Sequence, residues 1–343
     1  MFHKAENVRQ YCKVNRFDYT DSEVANGFTV FLISKCLTNA SSKADCEYPL
    51  DRERGLGIME QVGYYNGTIG KLEDIQCPIL DRAVYFGDGC YDATYVQNGV
   101  IFALEDHFDR FYNSCRLLRI PFQYSREELK EILYKLVEVF DGNEGKGILY
   151  WQTSRGTALR NHIFPDDTVV KPNLMATLMP MELSPRDKEF KTITLEDTRF
   201  LHCNIKTLNL IPSVIANQKA KEAGCNEVIF HRGDRVTEMA HSNVSFIIDG
   251  TLVYHPFDNK VLPGIAIKHL IKNAEKIGIP TRAEEITVTE AMNADELIIT
   301  SSGTLCNRIT EVDKIPVGGK APEIIKRLQD AAWDEFMSYT KQK

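Results

Sequence analysis

The sequence predicts an α+β protein organised as two mixed α/β domains, and three observations carry that prediction. The chain has 343 residues, well beyond the roughly 150 residues of a common single domain. Hydrophobic residues make up 43% and charged residues 26%, the balance of a soluble globular chain with a sizeable core. Short strand-like runs closed by turn dipeptides alternate with amphipathic helical stretches, with no internal repeat and no low-complexity tract.

In order, residues 1–58 mix charge, Asn and Ser with short apolar pieces and read as an N-terminal extension holding one short strand, Thr29 to Ile33. Residues 59–182 form the smaller α/β domain. Tyr64-Tyr-Asn-Gly67 is a strand and turn, and a beta-rich pattern continues through Ile79-Leu80 and Ala83-Val-Tyr-Phe86. Tyr91 to Val96, Asn98-Gly99 and Val100 to Leu104 spell an antiparallel hairpin. Glu105 to Leu118 carries Phe108, Phe111, Cys115 and Leu118 at helical spacing, and Ser125 with Glu128 makes a capping box for a helix reaching Phe140. Strands follow at Gly147–Thr153 and Asn173–Met179.

Two prolines and a charge cluster in Pro180 to Lys188 mark the boundary to the larger domain, residues 183–343. Leu210 to Glu222 is a helix stopped by Gly224. Strands are expected at Glu227–His231 and Val244–Ile248, with turns at Arg232-Gly-Asp234 and Asp249-Gly250. Ile265–Ile277 is a helix, Glu296–Thr300 a buried strand, and Ala321 to the end a terminal helix.

A net charge of −7 argues against a nucleic-acid surface or an anionic membrane surface, either of which needs a positive footprint. The nine cysteines are odd in number, scattered and never spaced Cys-x-x-Cys, which fits free thiols in a reducing compartment better than disulfides or a zinc site. No apolar run approaches a membrane span or a leader peptide, so the expected location is cytoplasmic.

The chemistry centres on Phe200-Leu-His-Cys-Asn-Ile-Lys-Thr-Leu-Asn-Leu210. A lysine in a largely apolar window is either a surface residue closing a strand or a desolvated amine able to form a Schiff base with a carbonyl. Four further groups bear on Lys206. Glu238, beside Ser242 and Asn243, lies between two strands and is either a solvated glutamate or a partner for a pyridine nitrogen. Arg110, the helix start at Gly264-Ile265-Ala266 and the turn Ser301 to Thr304 offer a guanidinium, backbone amides and hydroxyls to a phosphate. Arg160 and His162, in a basic loop of an acidic chain, are candidates for a carboxylate or form a solvated loop. Tyr91 could join them, or belong to the core of its strand.

Together these segments carry a resemblance. Tyr85 to Asp92, Glu105 to Arg110, Thr153 to His162, Ile205 to Leu210, Val236-Thr-Glu238, Ser242-Asn243 and Leu262 to Ile265 look like the class IV (fold type IV) pyridoxal-phosphate aminotransferases, and within them the D-amino-acid branch. The similarity runs from about Gly63 to Leu328 in one order. It implies that Lys206 holds pyridoxal 5'-phosphate as the internal aldimine and moves the proton. It further implies that Glu238 pairs with the pyridine nitrogen and that Ser242 and Asn243 adjoin it. Leu262 would pack on the ring. The phosphate would be held by Arg110, by Gly264, Ile265 and Ala266 at the helix start, and by the turn of Ser302, Gly303 and Thr304. Tyr91, Arg160 and His162 would trap the substrate carboxylate, the last two from the neighbouring subunit of a homodimer. The activity implied is ping-pong transfer of an amino group from a D-amino acid such as D-alanine to a 2-oxo acid.

Three positions depart from the pattern. Asp92 stands where many members have glutamate, Ala266 where threonine is common, and Met239-Ala-His241 where small hydroxyl residues are usual. Rival readings are a branched-chain L-amino-acid aminotransferase, against which the Arg160-Asn-His162 trap argues, an R-selective amine transaminase, and an aminodeoxychorismate lyase. A non-catalytic binder of a phosphorylated metabolite would have no need of a lysine, a pairing carboxylate and a carboxylate trap together.

Overall fold

A computed structural model of the chain describes residues 57–341, and the strand expected at Thr29 to Ile33 lies outside them. Strands β1 (Val62–Tyr65) and β2 (Thr68–Lys71) form a hairpin whose turn, Asn66-Gly67, has φ of 41° and 98°. Helix α1 (Arg82–Phe86) precedes β3 (Gly89–Gln97) and β4 (Val100–Ile101), which are joined by Asn98-Gly99 at φ 55° and 70°. Asn-Gly suits such turns because both central residues need positive φ. Helices α2 (Leu104–Leu117) and α3 (Arg126–Val139) follow, then β5 (Gly147–Ser154) and β6 (Asn173–Pro180). The capping box of Ser125 and Glu128 is formed.

These strands make one antiparallel sheet in the order β2-β1-β6-β5-β3-β4. Along β5, Gly147, Leu149, Trp151 and Thr153 alternate into the core, the period of a half-buried strand. Phe108 and Phe111 of α2 meet Trp151 edge-on, and Leu129, Leu133 and Leu136 of α3 join the same core cluster. Each such side chain contributes about 1.5–3 kcal/mol by leaving water. Ala83 to Phe86, expected to be beta, is instead helical: Asp81 caps the turn by accepting from Ala83 N, and Gly87 closes it at φ 59°. Four residues with a capping side chain before them and a left-handed glycine after them make a turn of helix whatever their β-propensity.

The second half comprises β7 (Glu189–Glu196), α4 (Ile211–Glu222), β8 (Glu227–Arg232), β9 (Arg235–Met239), β10 (Asn243–Ile248) and β11 (Thr251–Tyr254). It continues with α5 (Ile265–Lys276), β12 (Thr281–Ala283), α6 (Val288–Asn293), β13 (Glu296–Ser301), β14 (Thr304–Val312), β15 (Ile315–Pro316) and α7 (Pro322–Thr340). Eight of these strands run β12-β11-β10-β13-β14-β7-β8-β9, and β15 adds to β14. The pairs β11/β12, β14/β7 and β7/β8 are parallel. Strand β13 is buried on both faces: Ile298 points to the core under α5 and α7, whereas Leu297 and Ile299 point to the opposite core. That explains its uninterrupted apolar run. Val236-Thr-Glu238, expected between strands, is itself strand β9, paired with β8.

The sheets are joined by side chains and by one loop. Tyr95 and Phe102 of the first sheet pack on Phe336 of α7, with centroids 5.8 and 5.1 Å apart. The loop from β7 to α4 crosses to the start of β3, where Tyr91 N donates to Lys206 O (2.9 Å) and Leu208 N to Gly89 O (3.2 Å). Among the described residues no helix is long and apolar enough to cross a membrane.

Candidate active site

The crossing loop is held at several points, and Lys206 lies among them. Thr207 bridges Cys90, Asn209 Nδ2 donates to Gly87 O (2.9 Å), and Lys206 N donates to Ser114 Oγ of α2 (3.4 Å). A Cβ on Gly89 would sit 2.2 Å from Thr153 O and 2.8 Å from Leu208 Cδ1, so only glycine lets the loop approach β3 this closely. With its backbone fixed, half-buried Lys206 places Nζ 4.2 Å from the centre of the Tyr91 ring. Tyr91 in turn stacks on Tyr150 at 5.2 Å. Lys206 and Tyr91 line an open cleft between the two sheets.

Glu238, 5% exposed on β9, closes another side of this cleft. Its Oε2 accepts from Asn243 Nδ2 and from Leu262 N, both at 3.0 Å, and its Oε1 accepts from Arg199 Nη1. Burial drives the Glu238 pKa up to about 7, against the pull of Arg199. Arg199 is held by Asp197, its Nε and Nη2 each 2.9 Å from a carboxylate oxygen, and Asp197 also accepts from Arg232 and Thr237. Asn243 clamps the assembly by donating to Leu262 O as well (2.9 Å).

The far end of the cleft gathers donors suited to an anion. Gly264 caps α5, so the helix starts at Ile265 and Ala266 with its free amides there. A Cβ on Gly264 would lie 2.0 Å from Asn243 Oδ1, which keeps this position bare. Arg110 is fixed by Asp92, with Nε to Oδ2 at 2.9 Å and Nη2 to Oδ1 at 2.7 Å. Burial pushes the Asp92 carboxyl up, but Arg110 and His107 outweigh it and hold the group well below the usual carboxylate range. Buried His107 is pushed toward its neutral form by desolvation. Thr300 and Ser301, at the end of β13, line the same end, and Thr300 Oγ1 is buried with no hydrogen-bond partner among the described residues. A bare cradle at Gly264, a fixed guanidinium and an orphaned hydroxyl fit a phosphate, and Lys206 with Glu238 fits the rest of a pyridoxal phosphate.

A profile of the amino-transferase class IV family matches residues 89–312. The chain belongs to that family. It is 38% identical over 277 residues to the D-alanine aminotransferase of Listeria monocytogenes serotype 1/2a (strain 10403S), covering 79% of this chain and 94% of that one. Against the D-alanine aminotransferase of Staphylococcus aureus (strain MSSA476) the identity is 36% over 276 residues, with 79% and 96% covered. The branched-chain amino acid aminotransferase from Escherichia coli shares the fold, with a TM-score of 0.73 at 21% identity over 83% of this chain and 97% of that one.

Within this class IV aminotransferase, the structure brings Lys206, Glu238, Arg110, Ser242, Asn243, Leu262, Gly264, Ile265, Ala266, Ser302 and Tyr91 to one cleft. Ser302 contributes less than expected, because its hydroxyl donates to Ala93 O (2.9 Å). Gly303 and Thr304 are not among the cleft-lining residues: Thr304 pairs with Ser301 across the β13–β14 turn, and Gly303 O accepts from Ser184 N. Arg160 and His162 are also outside it. Both are exposed and rest on the Phe86 ring, at 5.2 Å each.

Sequence reasoning missed Arg199, Thr300 and the pairing of His241 with Glu227. The pair Asp197-x-Arg199 beside an apolar window was an available signal, since charges there need partners. Thr300 had none, because a threonine ending a strand is ordinary.

Proposed function

We propose that the chain is a pyridoxal-phosphate-dependent transaminase that moves an amino group from a D-amino acid, such as D-alanine, to a 2-oxo acid. The observation that carries this reading is the convergence of the Lys206 amine, the buried Glu238 and the Arg110–Gly264 anion cradle on one cleft. The named activity of the Listeria and Staphylococcus relatives supports the D series.

When bound, the cofactor supplies an electron sink conjugated to the substrate's α carbon. The phosphate would be held by Arg110, the amides of Ile265 and Ala266, and the hydroxyls at Thr300 and Ser301, with Leu262 against the ring. Glu238, its two oxygens fixed by Arg199 and Asn243, would hold a proton on the pyridine nitrogen. Lys206 would provide the amine that tethers the cofactor and, as a free amine, the base that takes and returns the proton of the substrate α carbon. Tyr91 bounds the substrate side, flanking the amine.

Arg160 and His162 belong to the substrate carboxylate site of a second copy of the chain. Exposed Leu159, Ile163 and Phe164 beside them, and exposed Leu210, Ile211 and Val214 at the start of α4, supply the apolar surface for such a homodimer.

Borohydride treatment of the cofactor-loaded protein followed by peptide mass mapping tests the tether: a pyridoxyl mass on the Lys206 peptide supports it, and its absence there rejects it. Loss of the bound cofactor's absorbance band with D-alanine but not with L-leucine is the expected stereochemical result. The reverse pattern would assign the enzyme to L-amino acids.

A further inference from the structure

One charged pair at the cleft has no part in that account. His241 sits in the turn between β9 and β10 and lines the cleft with Lys206. Its Nδ1 contacts Glu227 of β8, whose side chain is fully buried while that of the histidine is 62% exposed. Glu227 is further fixed by accepting from Val228 N (3.0 Å) and Ser242 Oγ (3.4 Å). Asn217 Nδ2 of α4 lies 3.4 Å from the same Nδ1. Among the described residues Nε2 has no partner, so the protonated ring, anchored through Nδ1, presents a free N–H on its other edge.

The position of this donor matters. Tyr91, on β3 of the first sheet, and His241, on the β9–β10 turn of the second, stand on separate walls of the cleft, with Lys206 reaching in from the crossing loop. A substrate whose α-carboxylate is held on the Tyr91 side directs its side chain away from that group. We infer that His241, oriented by Glu227, is the receptor for a second carboxylate, on the side chain of a dicarboxylic amino acid or 2-oxo acid. This rests on the function proposed above. A monocarboxylic substrate such as pyruvate carries nothing that can use the site.

The charged groups acting on the imidazole are Glu227 and Lys206. Desolvation where the ring meets buried Glu227, together with Lys206, favours the neutral form, but the Glu227 carboxylate outweighs both and holds the pKa above the ordinary histidine value. The cationic form therefore persists toward neutral pH and is lost as pH rises through the raised value.

The test uses the cofactor-loaded enzyme with D-alanine as donor and compares kcat/KM for 2-oxoglutarate with kcat/KM for pyruvate. In His241→Gln the ratio of the two should fall about tenfold or more, the worth of a hydrogen bond to a charged group. His241→Lys, which restores the cation, should recover much of it, and Glu227→Gln should move the pH at which the ratio declines to lower pH. In a parallel binding measurement, glutarate should shift the His241 imidazole resonances and butyrate should not. A ratio within twofold of the unaltered enzyme's in His241→Gln, or an equal loss with both acceptors, overturns the inference. If the unaltered enzyme transfers nothing from D-alanine, the proposed function fails instead. The glutarate titration still decides this inference, and an unperturbed His241 rejects it.

Discussion

Two arginines that the sequence offers as anion ligands end in opposite situations. Arg110 is 7% exposed, gripped in two places by Asp92 and aimed at a helix start in its own chain. Arg160 is exposed, rests on an aromatic ring and is separate from the cleft that holds Lys206. The contrast divides the candidate residues: those that fit the cofactor meet in one cleft of a single chain, whereas the proposed carboxylate ligands Arg160 and His162 lie outside it. A preorganised, buried guanidinium can bind an anion without further ordering, whereas an exposed one gains affinity only when another surface fixes it.

The first way to break that division is to remove the residue common to both ends. Lys206→Ala should lower kcat by about a thousandfold or more, since both the tether and the proton carrier are lost. Single-turnover absorbance changes with D-alanine measure this, and a loss below tenfold would place the base elsewhere. Next, Arg110→Met leaves the buried Asp92 carboxylate without its guanidinium partner, with only His107 beside it. The protein should lose about 3–5 kcal/mol of stability in urea unfolding, in addition to its affinity for the cofactor.

Arg160→Ala should do neither. Its unfolding should stay within about 0.5 kcal/mol of the unaltered protein, as for other exposed positions, while KM for amino acids rises far more than KM for simple amines. Mixing it with Lys206→Ala sharpens the comparison. If Arg160 serves the partner's site, hybrid dimers each regain one intact site, and a statistical mixture recovers about a quarter of normal activity. No recovery from subunits shown to exchange would return Arg160 to its own chain.

Much of this arrangement was legible in the sequence, for local reasons. Asn66-Gly67, Asn98-Gly99 and Asp249-Gly250 all adopt the positive φ pairs that their dipeptides favour, and the Ser125–Glu128 box starts its helix as expected. The cleft residues were legible because lysine, glutamate and arginine near apolar runs need explanations. Illegible parts depend on long-range packing. Ala83 to Phe86 turned helical because of flanking caps, Glu238 proved to be on a strand because β8 pairs with it, and Gly303 and Thr304 turned away from the cleft with their hairpin. Nothing local announces that Arg199, 39 positions from Glu238, is its partner.

That last pair yields the smallest expected effect and a direct check on the cofactor end of the site. Burial lifts the Glu238 pKa to about 7 from an ordinary 4.5. Between those values the folded chain keeps a proton that the unfolded chain has released, so stability falls as pH rises from about 4.5 to about 7 and levels off above. The loss should be on the order of 1–3 kcal/mol, given 1.36 kcal/mol per unit and partial compensation by Arg199. Thermal unfolding of the cofactor-free protein from about pH 5 to 8 should show this decline, and Glu238→Gln should remove most of it. Arg199→Met should steepen it, because the buried carboxylate then loses the cation that offsets desolvation. A flat profile in the unaltered protein would mean that Arg199 already keeps Glu238 ionised across the range. Glu238 would then meet the cofactor as a carboxylate from the outset, with no proton of its own to lose.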